Sequence, residues 1–156
     1  MRGSDKVIAV LNEMLAEELT AINQYMVQSE MCSNWGYEGL HKQIEKIAIV
    51  EMKHAEKLIG RILFLEGQPT VSKLNQLQIG EDVKAIIYND LRTEKGAIQD
   101  YNGAVALCVA ENDRGSAHLL REILEDEEQH IDWFEAQHHQ IEQLGLPNYL
   151  ISQVKG

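Results

Sequence analysis

The sequence predicts an all-α protein: a four-helix bundle with a long crossover between the second and third helices and a short fifth helix at the C-terminus. Three observations carry this. Apolar residues recur every three or four positions along most of the chain, and alternating strand-like runs are missing. Proline occurs only at Pro69 and Pro147, so long helical stretches go unbroken. Two short breaks flank one long connection, the loop pattern of a bundle whose middle link travels back along its length. A chain of 156 residues can bury a sizeable core, and one domain is expected over residues 1–156.

The first helix is expected from Ser4, a side chain suited to N-capping, to about Cys32. "SNWG" interrupts it at Gly36. The second runs from about Tyr37 to Glu66, with Gly67 as its stop and Pro69 beyond. Residues 68–81, "QPTVSKLNQLQIGE", lack a helical period and form the long connection. The third helix spans about Glu81 to Glu111. "NDRG" punctuates the chain, and the fourth helix runs to about Leu144, ended by Gly145 and Pro147. "NYLISQV" is the short fifth helix. Helices of about 30 residues each span roughly 45 Å.

Composition excludes several function classes. The formal net charge of −11 argues against a nucleic-acid partner. Cys32 and Cys108 are the only cysteines, and neither belongs to a CxxC pair, which excludes a rubredoxin-type centre or zinc ribbon. The N-terminus has no long apolar run before its charges, so no signal peptide is expected. No window approaches a transmembrane span. The expected compartment is the reducing cytoplasm.

Each long helix carries the same anomaly. The second has the stripe Ile44, Ile47, Glu51, His54, Leu58, Ile62, Leu65, in which a carboxylate and an imidazole interrupt an otherwise apolar face. The first has Ile8, Leu11, Leu15, Glu18, Ile22, Tyr25. The third has Ile87, Leu91, Glu94, Ile98, Tyr101, Val105. The fourth has Leu120, Ile123, Glu127, His130, Phe134, Ile141 and Leu144, with a less regular step at Gln137 and His138. Four Glu and two His therefore point at one core. Their spacing repeats: 51 − 18 = 33 and 127 − 94 = 33, and adding 76 to 18, 51, 54 and 25 gives 94, 127, 130 and 101. The chain reads as two helical hairpins of one plan, each supplying a Glu and then a Glu-x-x-His.

Bare carboxylates cannot be buried together, since each costs several kcal/mol or takes up a proton. Two divalent cations resolve the conflict: four carboxylates and two neutral imidazoles match a charge of about +4. Oxygen and imidazole donors without thiolate favour Fe, Mn or Zn. Four Glu and two His from four helices form the carboxylate-bridged di-metal pattern. Glu17 and Glu128 lie off the stripes and are read as solvated or as neighbours of the ligands. Tyr25 and Tyr101, two turns beyond Glu18 and Glu94, either hydrogen-bond the carboxylates, donate an electron during oxidation, or serve as core tyrosines. Met52 is rotated about 100° from Glu51, so it faces out of the bundle as a flank residue, an interface contact or an outer ligand.

The segments "NEMLAEELTAINQY", "VEMKHAEKLIGRILFLEGQP", "IGEDV", "LEDEEQHIDWFE" and "GLPNYLISQ" resemble bacterioferritin, in order and spacing, over essentially the whole chain. The resemblance implies a ferritin-like bundle assembled as a homo-oligomer, a 24-subunit cage built from dimers. It implies an iron-storing ferroxidase that oxidises Fe(II) with O2 or H2O2 at a di-iron centre and deposits ferric mineral inside. By position it implies the ligands Glu18, Glu51, His54, Glu94, Glu127 and His130, with Glu51 and Glu127 bridging. Met52 matches the family's haem ligand, so two Met52 side chains would clamp one b-type haem between two subunits. A ferredoxin as redox partner for iron release is an expectation at the level of the family. Lys46 and Val50 depart from relatives that place His and Asp there, which puts an inner-surface iron site in doubt. Leu58 stands where some relatives have Tyr. The rival readings are a rubrerythrin-like di-iron peroxidase without storage and a shell subunit that uses the site only for stability. Trp35 and Trp133 are expected to pack.

Overall fold

A computed structural model describes residues 1–155. Five helices follow in order: α1 (Asp5–Asn34), α2 (Glu38–Phe64), α3 (Val83–Ala110), α4 (Arg114–Leu144) and α5 (Leu146–Gln153). α1 packs along α2 and α3 along α4, and the two hairpins meet through α1 with α3 and α2 with α4. The expected all-α bundle with a crossover and a short fifth helix is what forms. Among the described residues, no helix is long and apolar enough to cross a membrane.

The helix ends follow local chemistry. Ser4 Oγ accepts from Lys6 N–H at 3.2 Å, the Asp82 side chain from Ala85 N–H at 2.8 Å, and that of Asp113 from Ser116 N–H at 2.9 Å. The end of α2 differs in detail from expectation. The left-handed residue is Glu66 (φ 63), and Gly67 follows it. Gly67 is needed for space, because a Cβ there would lie 2.7 Å from Ile8 Cγ2. Pro147 does not simply stop α4. Gly145 (φ 78) makes the break, and Pro147 sits in the first turn of α5, where its missing N–H costs nothing.

The core falls into two apolar layers. One gathers Leu11, Leu15, Leu58, Ile62, Leu120 and Ile123. The other gathers Tyr25, Leu40, Ile44, Ile87, Phe134 and Tyr149. Along every long helix the ionisable residues fall between these layers, so a polar slab crosses the middle of the bundle. The stripes drift slightly from the expected phase. Val7, Met14, Ala21, Ala104 and Cys108 are buried, while Ile8, Ile22, Ile98 and Val105 lie at the edge and Leu144 is exposed. Gln137 resolves the irregular step in α4: it is buried because the Tyr149 hydroxyl of α5 donates to its Oε1 at 2.7 Å. Trp133 packs edge-on against Phe134 at 5.0 Å.

The crossover (residues 65–82) is bonded to one polar face of α1. Asn12 accepts from Thr70 N–H, Thr20 from Asn75 N–H, Gln24 from Gln78 N–H and Gln28 from Gly80 N–H. The amides of Gln24 and Gln28 in turn donate to Asp90 of α3, which is fully buried. Burial raises the Asp90 carboxyl to about 7 against the opposing pull of those two amides.

Candidate metal centre

The six candidate ligands come together. Glu18 of α1, Glu51 and His54 of α2, Glu94 of α3, and Glu127 and His130 of α4 occupy the slab, all buried, with His130 the most open at 8% exposed. Their donor atoms fall into two groups. Glu18, Glu51, His54 and Glu127 form one, and Glu51, Glu94, Glu127 and His130 form the other, each with donor atoms within 4.8 Å of one another. Glu51 and Glu127 belong to both. His54 Nδ1 lies 3.1 Å from Glu127 Oε1 and 3.5 Å from Glu18 Oε2. His130 Nδ1 lies 3.1 Å from Glu51 Oε1 and 3.8 Å from Glu94 Oε1.

Every one of the six leaves one buried atom without a hydrogen-bond partner: Glu18 Oε2, Glu51 Oε1, His54 Nδ1, Glu94 Oε2, Glu127 Oε1 and His130 Nδ1. Buried polar atoms are ordinarily satisfied, so six orphans facing one another call for a missing partner. All six are Lewis bases, and an array of carboxylate oxygens and imidazole nitrogens without sulfur fits iron or another hard or borderline divalent ion. Nothing organic is required to explain them.

The outer atoms of three of these residues, Glu94, Glu18 and His54, are held. Tyr25 Oη donates to Glu94 Oε1 at 2.6 Å, and Tyr101 Oη donates to Glu18 Oε1 at 2.5 Å. Each hairpin thus supplies the tyrosine for the other hairpin's carboxylate, and in both cases the second oxygen is the orphan. Both phenols are pushed up, by burial first and by their carboxylate partners next. His54 Nε2 meets Asp126 Oδ2 at 2.7 Å, which turns Nδ1 toward the centre. Sequence reasoning missed Asp126. The signal available was an acidic residue beside Glu127 on α4, and nothing in the spacing marked its direction. The 76-residue offset places Val50 where the second hairpin has Asp126 (126 − 76 = 50), so His130 has no matching carboxylate.

The electrostatics describe a core that holds protons when metal is absent. Glu18, Glu51 and Glu94 are raised above the ordinary 4.5, first by burial and then by neighbouring carboxylates. Burial also opposes charge on Glu127, but the neighbouring His54, Glu94 and Glu51 side chains outweigh it and bring its carboxyl down to about 2. Burial works against charging His54 too, yet Glu127, Glu18 and Asp126 together raise it to about 10. His130 is lowered, by burial first. Of the two alternatives for Glu17, the structure takes the neighbour of the ligands: it lines the same cavity as Glu18 and Glu94. It is partly buried, and burial followed by the adjacent Asp100 carboxyl raises it to about 10. Glu128 is exposed, and so is Met52, at 47%, on the outer side of α2.

Comparison with known proteins agrees with this architecture. Residues 8–144 match the ferritin-like domain family. A bacterioferritin from Brucella melitensis is 40% identical over 149 residues, covering 96% of this chain and 92% of the relative. A bacterial ferritin from Synechocystis is 41% identical over 155 residues, covering 99% of both chains. A bacterioferritin from Mycolicibacterium paratuberculosis is 38% identical over 149 residues, covering 96% and 94%. With its bundle, its paired Glu and Glu-x-x-His positions and these full-length likenesses, the chain belongs to the ferritin-like domain family and, within it, to the bacterioferritins.

Proposed function

We propose that the chain is an iron-storage and detoxification subunit whose buried centre acts as a ferroxidase, taking Fe(II) as substrate and O2 or H2O2 as oxidant. The observation that supports it best is the orphan set: six buried donor atoms in two groups that share two carboxylates. Glu51 and Glu127 would bridge two iron ions. Glu18 and His54 would complete one position, and Glu94 and His130 the other. The iron supplies the redox chemistry. The protein fixes the donors before metal arrives, with Tyr101 and Tyr25 occupying one oxygen each of Glu18 and Glu94. Tyr25, through its hydrogen bond to Glu94, would also give up an electron during oxidation. Carboxylate donors favour the harder ferric product.

Assembly into a 24-subunit cage in the cytoplasm follows from the same reading. Support comes from apolar side chains left exposed on α1, α2 and the crossover: Met26, Ile49, Met52, Phe64, Val71 and Leu77. Two Met52 side chains meeting across a symmetric dimer would clamp one b-type haem, since a thioether is an axial haem ligand. A ferredoxin is the expected electron donor for release.

Fe(II) oxidation on the purified native particle tests the reading. The expected particle mass is 24 × 17.7 kDa, about 425 kDa, with a haem absorbance on the same peak. Rapid oxidation should continue past one pair of ions per chain and should slow strongly in Glu18→Ala and His130→Ala. Near wild-type rates in both variants refute the site, and a dimer without haem refutes storage.

A further inference from the structure

Two openings reach the buried donors. On the α2/α4 side a cavity of about 250 Å³ is lined by Lys46, Val50, Trp133 and His130, and none of its lining residues is acidic. On the α1/α3 side, beneath the crossover, a cavity of about 230 Å³ is lined by Glu18, Glu51, Glu94 and Glu127 and also by Glu17 and Asp100. It shares Glu17, Asn75 and Asp100 with an adjoining cavity of about 390 Å³ that Glu13 lines.

Resting on the metal-centre reading above, we propose that this α1/α3 passage is the route by which divalent cations reach the centre, and that Glu17 and Asp100 pass the ion from Glu13 to Glu18. Burial grades along it. Glu13 and Asp100 are exposed, Glu17 is partly buried, and Glu18 is 1% exposed. Glu13 and Glu17 are one turn apart on α1, and Glu17 adjoins Glu18 in the chain. Glu17 Oε2 is enclosed without a partner, like Glu18 Oε2 beyond it. A hydrated divalent ion gives up water only where oxygen donors replace it. A series of acidic side chains of falling exposure allows that exchange to occur in steps. Two basic residues line the passage. Lys73 is exposed on the crossover, and the Arg92 guanidinium is placed over the Tyr88 ring at 5.9 Å. Lys46 at the opposite opening has no acidic neighbour among the lining residues and opposes cations there.

Stopped-flow uptake of Co(II) by the metal-free protein, read from the ligand-field absorbance of the bound ion, is the test. It needs no turnover. The wild type should bind two Co(II) per chain. In Glu17→Gln/Asp100→Asn the uptake rate should fall by about tenfold, with stoichiometry and final spectrum unchanged. Gly96→Phe provides an independent block: Gly96 lines the passage, and a Cβ there meets nothing within 4 Å, so the ring can fill the cavity without moving backbone. It too should slow uptake. Wild-type rates in both variants overturn the route. A lower stoichiometry in the double variant also overturns it, because the two residues would then hold the ion. Failure of the wild type to bind Co(II) at all overturns the metal centre itself.

Discussion

Asp126→Asn should weaken one metal position and spare the other. Asp126 touches His54 Nε2 at 2.7 Å, and His54 belongs only to the group formed with Glu18. Loss of a carboxylate behind a ligating imidazole generally costs about 10–100-fold in affinity. The lower end applies here, because the Asp126 side chain is 40% exposed and water can take its place. The expected loss is about tenfold, or about 1.4 kcal/mol, at that position. The position containing His130 has no carboxylate behind its imidazole and should be unaffected. Titration of the metal-free variant with Co(II) should therefore show the step assigned to the His54 position weakened by about tenfold, bringing it toward the His130 step, which stays where the wild type has it. Two equally weakened steps, or none, would refute the argument that Asp126 acts through His54 alone.

Three further outcomes are expected. Tyr101→Phe removes the hydroxyl that donates to a buried Glu18 oxygen and should destabilise the metal-free protein by about 1.5–3 kcal/mol in urea unfolding, with Tyr25→Phe similar at Glu94. Because Glu18, Glu51 and Glu94 are raised in the folded state, their contribution to metal-free stability is complete below pH 4.5 and is lost as pH rises toward the raised values. His54, raised to about 10, has the same sign above 6.5, while Glu127, lowered to about 2, acts oppositely below 4.5 and His130, also lowered, acts oppositely below 6.5 but is outnumbered by the raised groups. The urea midpoint should therefore fall between about pH 5 and pH 8, and metal uptake in that window should release protons, measurable by calorimetry in buffers of different ionisation heat. Gly67→Ala should cost about 1–3 kcal/mol through collision with Ile8 and Ile62, and Ile8→Val in the same chain should recover part of it.

The helices and the six donors were legible because both obey a short-range rule. A Glu or His recurring at helical spacing within Ile and Leu is visible without knowing any partner. The 76-residue offset tied the two halves together. Side chains whose role depends on distant neighbours were not legible. Asp90 and Gln28 are 62 positions apart and read as ordinary polar residues, yet both are fully buried and together hold the crossover. Glu17 could be read either as solvated or as a neighbour of the ligands, because its position on α1 is off the stripe. Only the placement of Asp100 and the crossover beside it encloses its carboxyl. Pro147 looked like a terminator because a proline one turn after an apolar run serves equally as a stop and as a first-turn residue. Gly145 decides between the two.

The exchange of tyrosines between hairpins has a consequence for assembly of the chain. A hairpin of α1 and α2 alone would have Glu18 without its phenol and Tyr25 without its acceptor, and the α3–α4 hairpin would have the mirror deficit. Neither half can satisfy its own interior. The two become complete in a single docking event, and each then closes the other's polar gap. Folding of the metal-free chain should accordingly be all-or-none across the two halves, with the amides of α1 and α3 near these tyrosines exchanging with solvent only through global opening.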